Sequence, residues 1–391
     1  MKVLLISHTC IAGPEGRPKA DLLARYSDIE LLVLTPHRWR NYGKWLFAQA
    51  SDPNQLYYKV ATVRWPWSGP AQWYLHWYPE LPAILRNFQP DIIDLWEEPW
   101  GLVSAQVCWL RNRILPKTVI ISETEQNIDK RLPFPFENFR SYTLNNANFA
   151  IGRNREALAV IRNKGYHGSS QVVPNAVDAE LFSPSVDSEF RKKLRLPGFI
   201  IGYVGRLVEE KGLNDLFSAI VLLPKDTHLI LVGEGPFRTS LEQKARDLEI
   251  TCRISFIGPC KLSELPDIMN SFDVLVLPSR TTARWKEQFG RVIIEAQACE
   301  IPVVGSSSGA IPDVLGEGGL VFPEGNITEL ACAIQTLYDN PSEKRRLGKL
   351  GRKQVLAKYT WHKVAEQMRF IYNTTMSPHS VALANSSLDS C

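Results

Sequence analysis

Residues Phe199–Gly212 read FIIGYVGRLVEEKG, a strand-like run from Phe199 to Val204 closed by Gly205 and followed by Arg206 and Lys211. A turn at the carboxyl end of a parallel strand is where open α/β sheets bind their ligands. Two fixed cations in such a turn can neutralise a diphosphate without a metal ion. Further along, LILVGEGP (229–236) and ISFIGP (254–259) supply two more strand-then-glycine turns, and DVLVLPS (273–279) ends a further strand. This alternation runs from Phe199 to Phe322 and is followed by helical stretches at 327–338 and 342–358.

The first half alternates in the same way. Strand candidates are 3–7, 30–34, 57–63, 91–95, 118–122, 149–152 and 171–173, and Arg153–Lys164 reads as a helix with Gly165 as its stop. Strands alternating with helical stretches imply parallel sheets with crossover helices. Between the halves, Pro174–Pro197 carries three prolines and only a short charged helix near Glu189–Leu194, and it reads as a connection. Trp361–Asn373 is amphipathic, and the Ser-rich tail from Ser377 to Cys391 has no periodicity and reads as disordered.

Composition narrows the class. At 391 residues the chain is long enough for two or three domains, each with a full core. A net charge of +4 suits an anionic small molecule or a membrane surface and is too diffuse to argue for nucleic acid. The seven cysteines are scattered, odd in number and without CxxC pairs, which argues against a disulfide framework or a zinc site and for a reducing, cytoplasmic setting. MKVLLISH at the N-terminus has too short an apolar run for a signal peptide, and no stretch of 18 apolar residues exists to span a membrane.

Residues Glu287–Glu295, EQFGRVIIE, set two carboxylates eight positions apart around a Phe-Gly pair and the opening of an apolar helix. Wholly helical, the stretch would span roughly 12 Å at about 1.5 Å per residue, comparable to the distance from ribose to hexose across a diphosphate. A helix N-terminus falling between the acids would face phosphates with its exposed N–H groups. An ordinary amphipathic helix with two surface acids is the competing reading.

Taken in order, PNAVD, GR-x4-K-G, VGEGP, FIGP, LPS, E-x7-E and GAIPDVL resemble the retaining family-4 (group 1) glycosyltransferases of GT-B fold. The match runs from about Pro174 to Asn326, with a weaker one over most of the rest. The resemblance implies an α/β fold of two Rossmann-like, doubly wound parallel-sheet domains facing a cleft. The expected organisation is an acceptor-binding domain over 1–174, a linker over 175–198 and a nucleotide-sugar domain over 199–358. A last helix over 359–376 would pack back on the first domain, and 377–391 would form the tail. The activity implied is transfer of a hexose from a nucleotide diphosphate sugar to a saccharide, lipid-linked or small-molecule acceptor with retained anomeric configuration. A GT-B nucleotide-sugar 2-epimerase and a nucleotide-sugar-binding protein without turnover are the alternatives. No cofactor, metal or nucleic acid is expected. The setting is the cytoplasm, with peripheral contact at the inner face of a membrane.

The same resemblance distributes roles. Glu287, Arg206 and Lys211 are the catalytic candidates, Glu287 accepting from donor-sugar hydroxyls and the two cations stabilising the departing phosphate. Gly205, Gly258, Pro259, Phe289, Gly290, Arg291 and Val292 complete the donor site, with Glu295 on the ribose. Gly290 permits close approach because it lacks a Cβ. The G-x-G of Gly233 and Gly235 has Pro236 after it and no third glycine, so it reads as a tight turn. In the first half, Thr124-Glu125-Gln126-Asn127 stands where many members carry T-x-H-D, and Gln126 cannot accept a proton as a histidine can. His8, Gly13, Gly16, Glu97, Glu98 and Gln126 are the acceptor or cleft candidates; a structural role for His8 fits equally. Nine of the eleven tryptophans fall between Trp39 and Trp109, as core, sugar-stacking or interfacial residues.

Overall fold

The computed structural model describes all residues except 12–15, 42–43, 49–57, 62–63, 65–71, 195–197 and 377–391. The described chain divides into two compact units, one of Met1–Pro174 with the last helix, Trp361–Met376, the other of Asn175–Thr360.

In the first unit the strands are β1 (Lys2–Ile6), β2 (Glu30–Pro36), β3 (Arg38–Asn41), β4 (Lys44–Phe47), β5 (Tyr58–Ala61), β6 (Ile92–Leu95), β7 (Val119–Thr124), β8 (Phe149–Gly152) and β9 (Ser169–Val172). Seven form one sheet in the order β5-β2-β1-β6-β7-β8-β9, parallel throughout, while β3 and β4 make a separate antiparallel ribbon. β1 shows why the sheet closes: Val3, Leu4, Leu5 and Ile6 are all fully buried, so both faces of the strand are covered. Each such side chain contributes about 1.5–3 kcal/mol by leaving water. Helices Leu81–Phe88 and Leu102–Ile114 supply Leu81, Leu85, Val107 and Cys108 to the same core.

A buried ionic cluster pins this unit together. Lys19 Nζ lies 2.5 Å from Glu123 Oε1 and 3.3 Å from Asp94 Oδ2, and the Arg153 guanidinium donates to the other Glu123 oxygen. The Trp96 ring takes the Lys19 ammonium at 4.1 Å and the Arg153 guanidinium at 4.9 Å. Tyr372, from the last helix, donates to Asp94 Oδ2 at 2.6 Å. Burial works to raise both carboxyls. The Arg153 and Lys19 charges overcome it at Glu123, which falls to about 2, whereas Asp94 rises to about 7.

The second unit contains β10 (Phe199–Val204), β11 (Thr227–Val232), β12 (Ile254–Gly258), β13 (Val274–Leu277), β14 (Val303–Ser306) and β15 (Gly319–Phe322). They form one parallel sheet in the order β12-β11-β10-β13-β14-β15. The stretch expected as a connection brings Val177 and Phe182 into this unit's core, and its short helix Glu189–Leu194 is held by Asp267 and Asp273. Apolar side chains inside a polar, proline-broken segment are what let it pack.

Candidate functional site

In both sheets the chain reverses direction of growth beside the first strand. β10 has β11 on one side and β13 on the other; β1 has β2 and β6. Open α/β sheets bind ligands outside the carboxyl ends of the strands at such a switch point. A chemically loaded cluster sits there in each unit.

In the second unit the loop after β10 and the loop after β13 converge. Lys211 Nζ is 2.6 Å from Glu287 Oε2, and Ser279 Oγ donates to the same oxygen at 2.9 Å. Glu287 is buried and Lys211 half-buried, with its ammonium 4.8 Å from the Trp285 ring centre. The approach depends on Gly212, which lies in the left-handed region at φ 66; a Cβ there would stand 1.9 Å from the Pro278 carbonyl oxygen. Glycine alone lets the two loops touch.

The G-x-G turn supports this loop from beneath. A Cβ on Gly233 would meet the Gly205 carbonyl oxygen at 2.0 Å, and one on Gly235 the Leu207 carbonyl oxygen at 2.1 Å. Leu207 N donates to Glu234 O at 3.0 Å, and Phe237 N to Leu207 O at 3.0 Å. The turn therefore positions the Arg206–Lys211 loop. Its helix begins at Arg238, two residues beyond Pro236.

The E-x7-E stretch is not wholly helical. Glu287 stands in the loop, Gly290 turns the chain at φ 76, and the helix runs from Arg291 to Ala298 with Glu295 half-buried on it. The helix N-terminus thus falls between the acids, at Arg291 and Val292. Phe289 is buried, its ring 5.9 Å from that of Tyr359, so its side chain serves the core and only its backbone faces the loop. Arg206 is exposed, and its carbonyl accepts from Tyr203 Oη at 2.8 Å. Gly258 ends β12 at φ 77 with open space where a Cβ would stand, and Pro259 after it is exposed. Sequence reasoning passed over Ser279 as a ligand of Glu287, although the LPS motif ends on it. It also passed over Arg280, which holds Asp215 through two 2.6 Å hydrogen bonds.

In the first unit, His8 follows β1 and Glu97 follows β6. His8 N donates to Glu97 Oε1 at 2.6 Å, and His8 Nδ1 lies 2.6 Å from Oε2. Burial works against the Glu97 charge, but His8 and His76 outweigh it and hold the carboxyl down at about 2. The His8 ring stacks on Trp39 at 4.5 Å and meets the edge of Trp73 at 4.9 Å. Trp39 is buried with its Nε1 unpartnered, whereas Trp73 and Trp77 are each 38% exposed.

The other first-unit candidates are tied to their own loops. Glu98 accepts from Thr124 Oγ1 at 2.7 Å and Glu125 N at 2.8 Å, and desolvation lifts it to about 7. Gln126 Oε1 accepts from Ile128 N at 3.1 Å, closing the turn on itself. Gly16 precedes the helix Arg17–Leu23, where a Cβ would stand 2.7 Å from the Thr9 carbonyl. Gly13, Trp65 and Trp67 lie outside the described residues. Among the described residues, no group of His, Cys, Asp and Glu is arranged to hold a metal ion, and no helix is long and apolar enough to cross a membrane.

Residues 186–354, nearly all of the second unit, match the family described as glycosyl transferases group 1. Over that segment the chain is similar to the group 1 glycosyl transferases. Among curated relatives, a GDP-mannose-dependent monoacylated alpha-(1-6)-phosphatidylinositol monomannoside mannosyltransferase of Corynebacterium glutamicum is 29% identical over 218 residues, 52% of this chain and 56% of that protein. The chain thus spans about half the length of the curated relatives it matches. Among solved structures, sucrose-phosphate synthase from Thermosynechococcus elongatus superposes with a TM-score of 0.74 at 23% identity, covering 95% of this chain and 98% of that one. Anabaena HepE in complex with UDP gives 0.74 at 19%, covering 96% and 100%. The fold is GT-B.

Proposed function

We propose that this chain transfers a hexosyl group from a nucleotide diphosphate sugar to a saccharide, lipid-linked or small-molecule acceptor, with retention of anomeric configuration. The observation carrying the reading is the Lys211–Glu287 contact of 2.6 Å at the switch point of the second sheet. A cation suited to phosphate and a carboxylate suited to sugar hydroxyls are adjacent there, as they must be to grip the two sides of one sugar–phosphate linkage. The helix starting at Arg291 offers its N-terminal N–H groups beside them.

In the reaction, the bond between anomeric carbon and phosphate oxygen breaks with its electron pair on the diphosphate. Lys211 and Arg206 offset the charge that develops. The acceptor oxygen bonds to the anomeric carbon, and its proton leaves to the departing phosphate. Glu287 holds the hexose and Glu295 the ribose. The match of residues 186–354 to group 1 glycosyl transferases supports transfer, and the GDP-mannose dependence of a relative fits a nucleotide sugar as donor.

The test is incubation with UDP-glucose or GDP-mannose, with and without saccharide acceptors. Nucleotide diphosphate release that requires acceptor, with an α-linked product, is expected. A donor whose sugar changes without acceptor would mark a 2-epimerase, and binding with no turnover a scaffold; either outcome overturns the proposal. Lys211→Ala should weaken nucleoside diphosphate binding more than nucleoside binding.

A further inference from the structure

Between the LPS motif and Glu287 the chain makes an excursion, Arg280–Lys286, whose aromatic residue has no part in the donor chemistry described above. The excursion is tied down at its base. Arg280 N donates to the Glu210 carbonyl at 2.8 Å, next to Lys211, and the Arg280 guanidinium holds Asp215. Thr281 N donates to Glu324 Oε2 at 2.8 Å. At the tip the loop closes on itself: Thr282 N donates to the Trp285 carbonyl at 2.7 Å, and Trp285 N to Thr282 Oγ1 at 3.0 Å. The closed tip carries the Trp285 ring centre to 4.8 Å from the Lys211 ammonium. Among the described residues Trp285 takes no part in the apolar core of the second unit, so core packing does not account for its place.

An aromatic face is negative at its centre and attracts a cation at this distance. Glu287 attracts the same ammonium, but its own charge cancels the one it holds. The ring holds the ammonium and leaves its charge whole. The difference matters once a donor arrives, because sugar hydroxyls then compete for the Glu287 carboxylate. We infer that Trp285 is a positioning residue for the donor diphosphate, holding the Lys211 ammonium in place while Glu287 turns to the sugar. The role rests on the transferase reading, in which Lys211 meets the diphosphate, and the ring acts through Lys211 alone.

Calorimetry on the full chain with UDP and GDP, and with uridine and guanosine, tests this without any turnover. Trp285→Leu keeps apolar bulk but removes the ring face, and should weaken the nucleoside diphosphate about five- to tenfold. The matching nucleoside should bind as it does to the parent. Trp285→Phe restores a ring and should come within about threefold of the parent. In a Lys211→Ala background, Trp285→Leu should change affinity by less than about twofold, since the ring has no ammonium left to hold. Trp285 lies on a loop outside the core, so each variant should keep the parent's melting temperature. Trp285→Met is a second non-aromatic variant and should match Trp285→Leu. Parent affinity in both non-aromatic variants, an equal loss for the nucleoside, or the same loss without Lys211 would overturn the inference. The expected affinities without acceptor-dependent transfer would leave the Trp285 role standing and remove the transferase. A parent that binds neither nucleoside diphosphate removes both.

Discussion

In the proposed donor site, single side chains of the second unit would divide the donor between them. Glu287 is buried against Lys211 and Ser279, while Glu295 lies about one turn into the following helix. Glu287→Gln should lower turnover and leave free nucleotide diphosphate affinity largely intact. Glu295→Gln should weaken the nucleotide itself, by about 1–3 kcal/mol for a charge-assisted hydrogen bond. Calorimetry showing the reverse assignment would mean that the donor lies the other way along this segment. In the first unit, Glu123 and Asp94 share one buried cluster but differ in charge state. Glu123 must be ionised to balance Lys19 and Arg153, so Glu123→Gln should destabilise by about 3–5 kcal/mol. Asp94 is pushed toward its neutral form, and Asp94→Asn should cost under about 1 kcal/mol near neutral pH. Urea unfolding of the two variants decides this, and equal losses would refute the assignment of charge. The acids and cations of the second unit could be picked from the sequence because glycines and strand ends mark their loops. Lys19 and Arg153 could not, because nothing local distinguishes a buried lysine from a solvated one.

Loops and ribbons gain their geometry from glycine and from pairing. Gly212 is the hinge of the Lys211 loop, with both a left-handed φ and no room for a Cβ. Gly212→Ala should force the Lys211 loop away from Pro278, destabilising the second unit by about 1–3 kcal/mol. It should also abolish nucleotide diphosphate binding. A variant with native nucleotide affinity would show that the loop contact does not matter. Element reading succeeded where strands are apolar: all seven strands expected in the first half are present, with ends shifted by at most two residues. It missed β3 and β4, whose residues alternate aromatic with basic side chains, leaving Trp45 and Phe47 exposed. Two four-residue strands that bury Trp39 but leave Trp45 and Phe47 exposed are too short to show the apolar periodicity by which strands are recognised.

Across the whole molecule, the proposed donor site relies on protein cations, and this has a measurable consequence. Arg206 and Lys211 both lie in the loop after β10, so nucleotide diphosphate binding should survive EDTA. A thermal-shift series with UDP and GDP, each with and without chelator, checks it. Ligand at 100 times its Kd should add about 2.7 kcal/mol to the stability of what it binds. Loss of that gain on chelation, restored by magnesium, would disprove it. The sequence alone determined the alternation of strand and helix, hence parallel sheets, and the order of motifs that marks a group 1 glycosyl transferase domain. These are local patterns of period and turn chemistry, written within a dozen residues. Only the tertiary structure decided which loops meet. Lys211 reaches Glu287 across 76 positions, His8 reaches Glu97 across 89, and Tyr372 reaches Asp94 across 278. Those meetings follow from the order of strands in each sheet, which places β10 beside β13 and β1 beside β6. Strand order is a property of the packed whole and leaves no periodic trace along the chain.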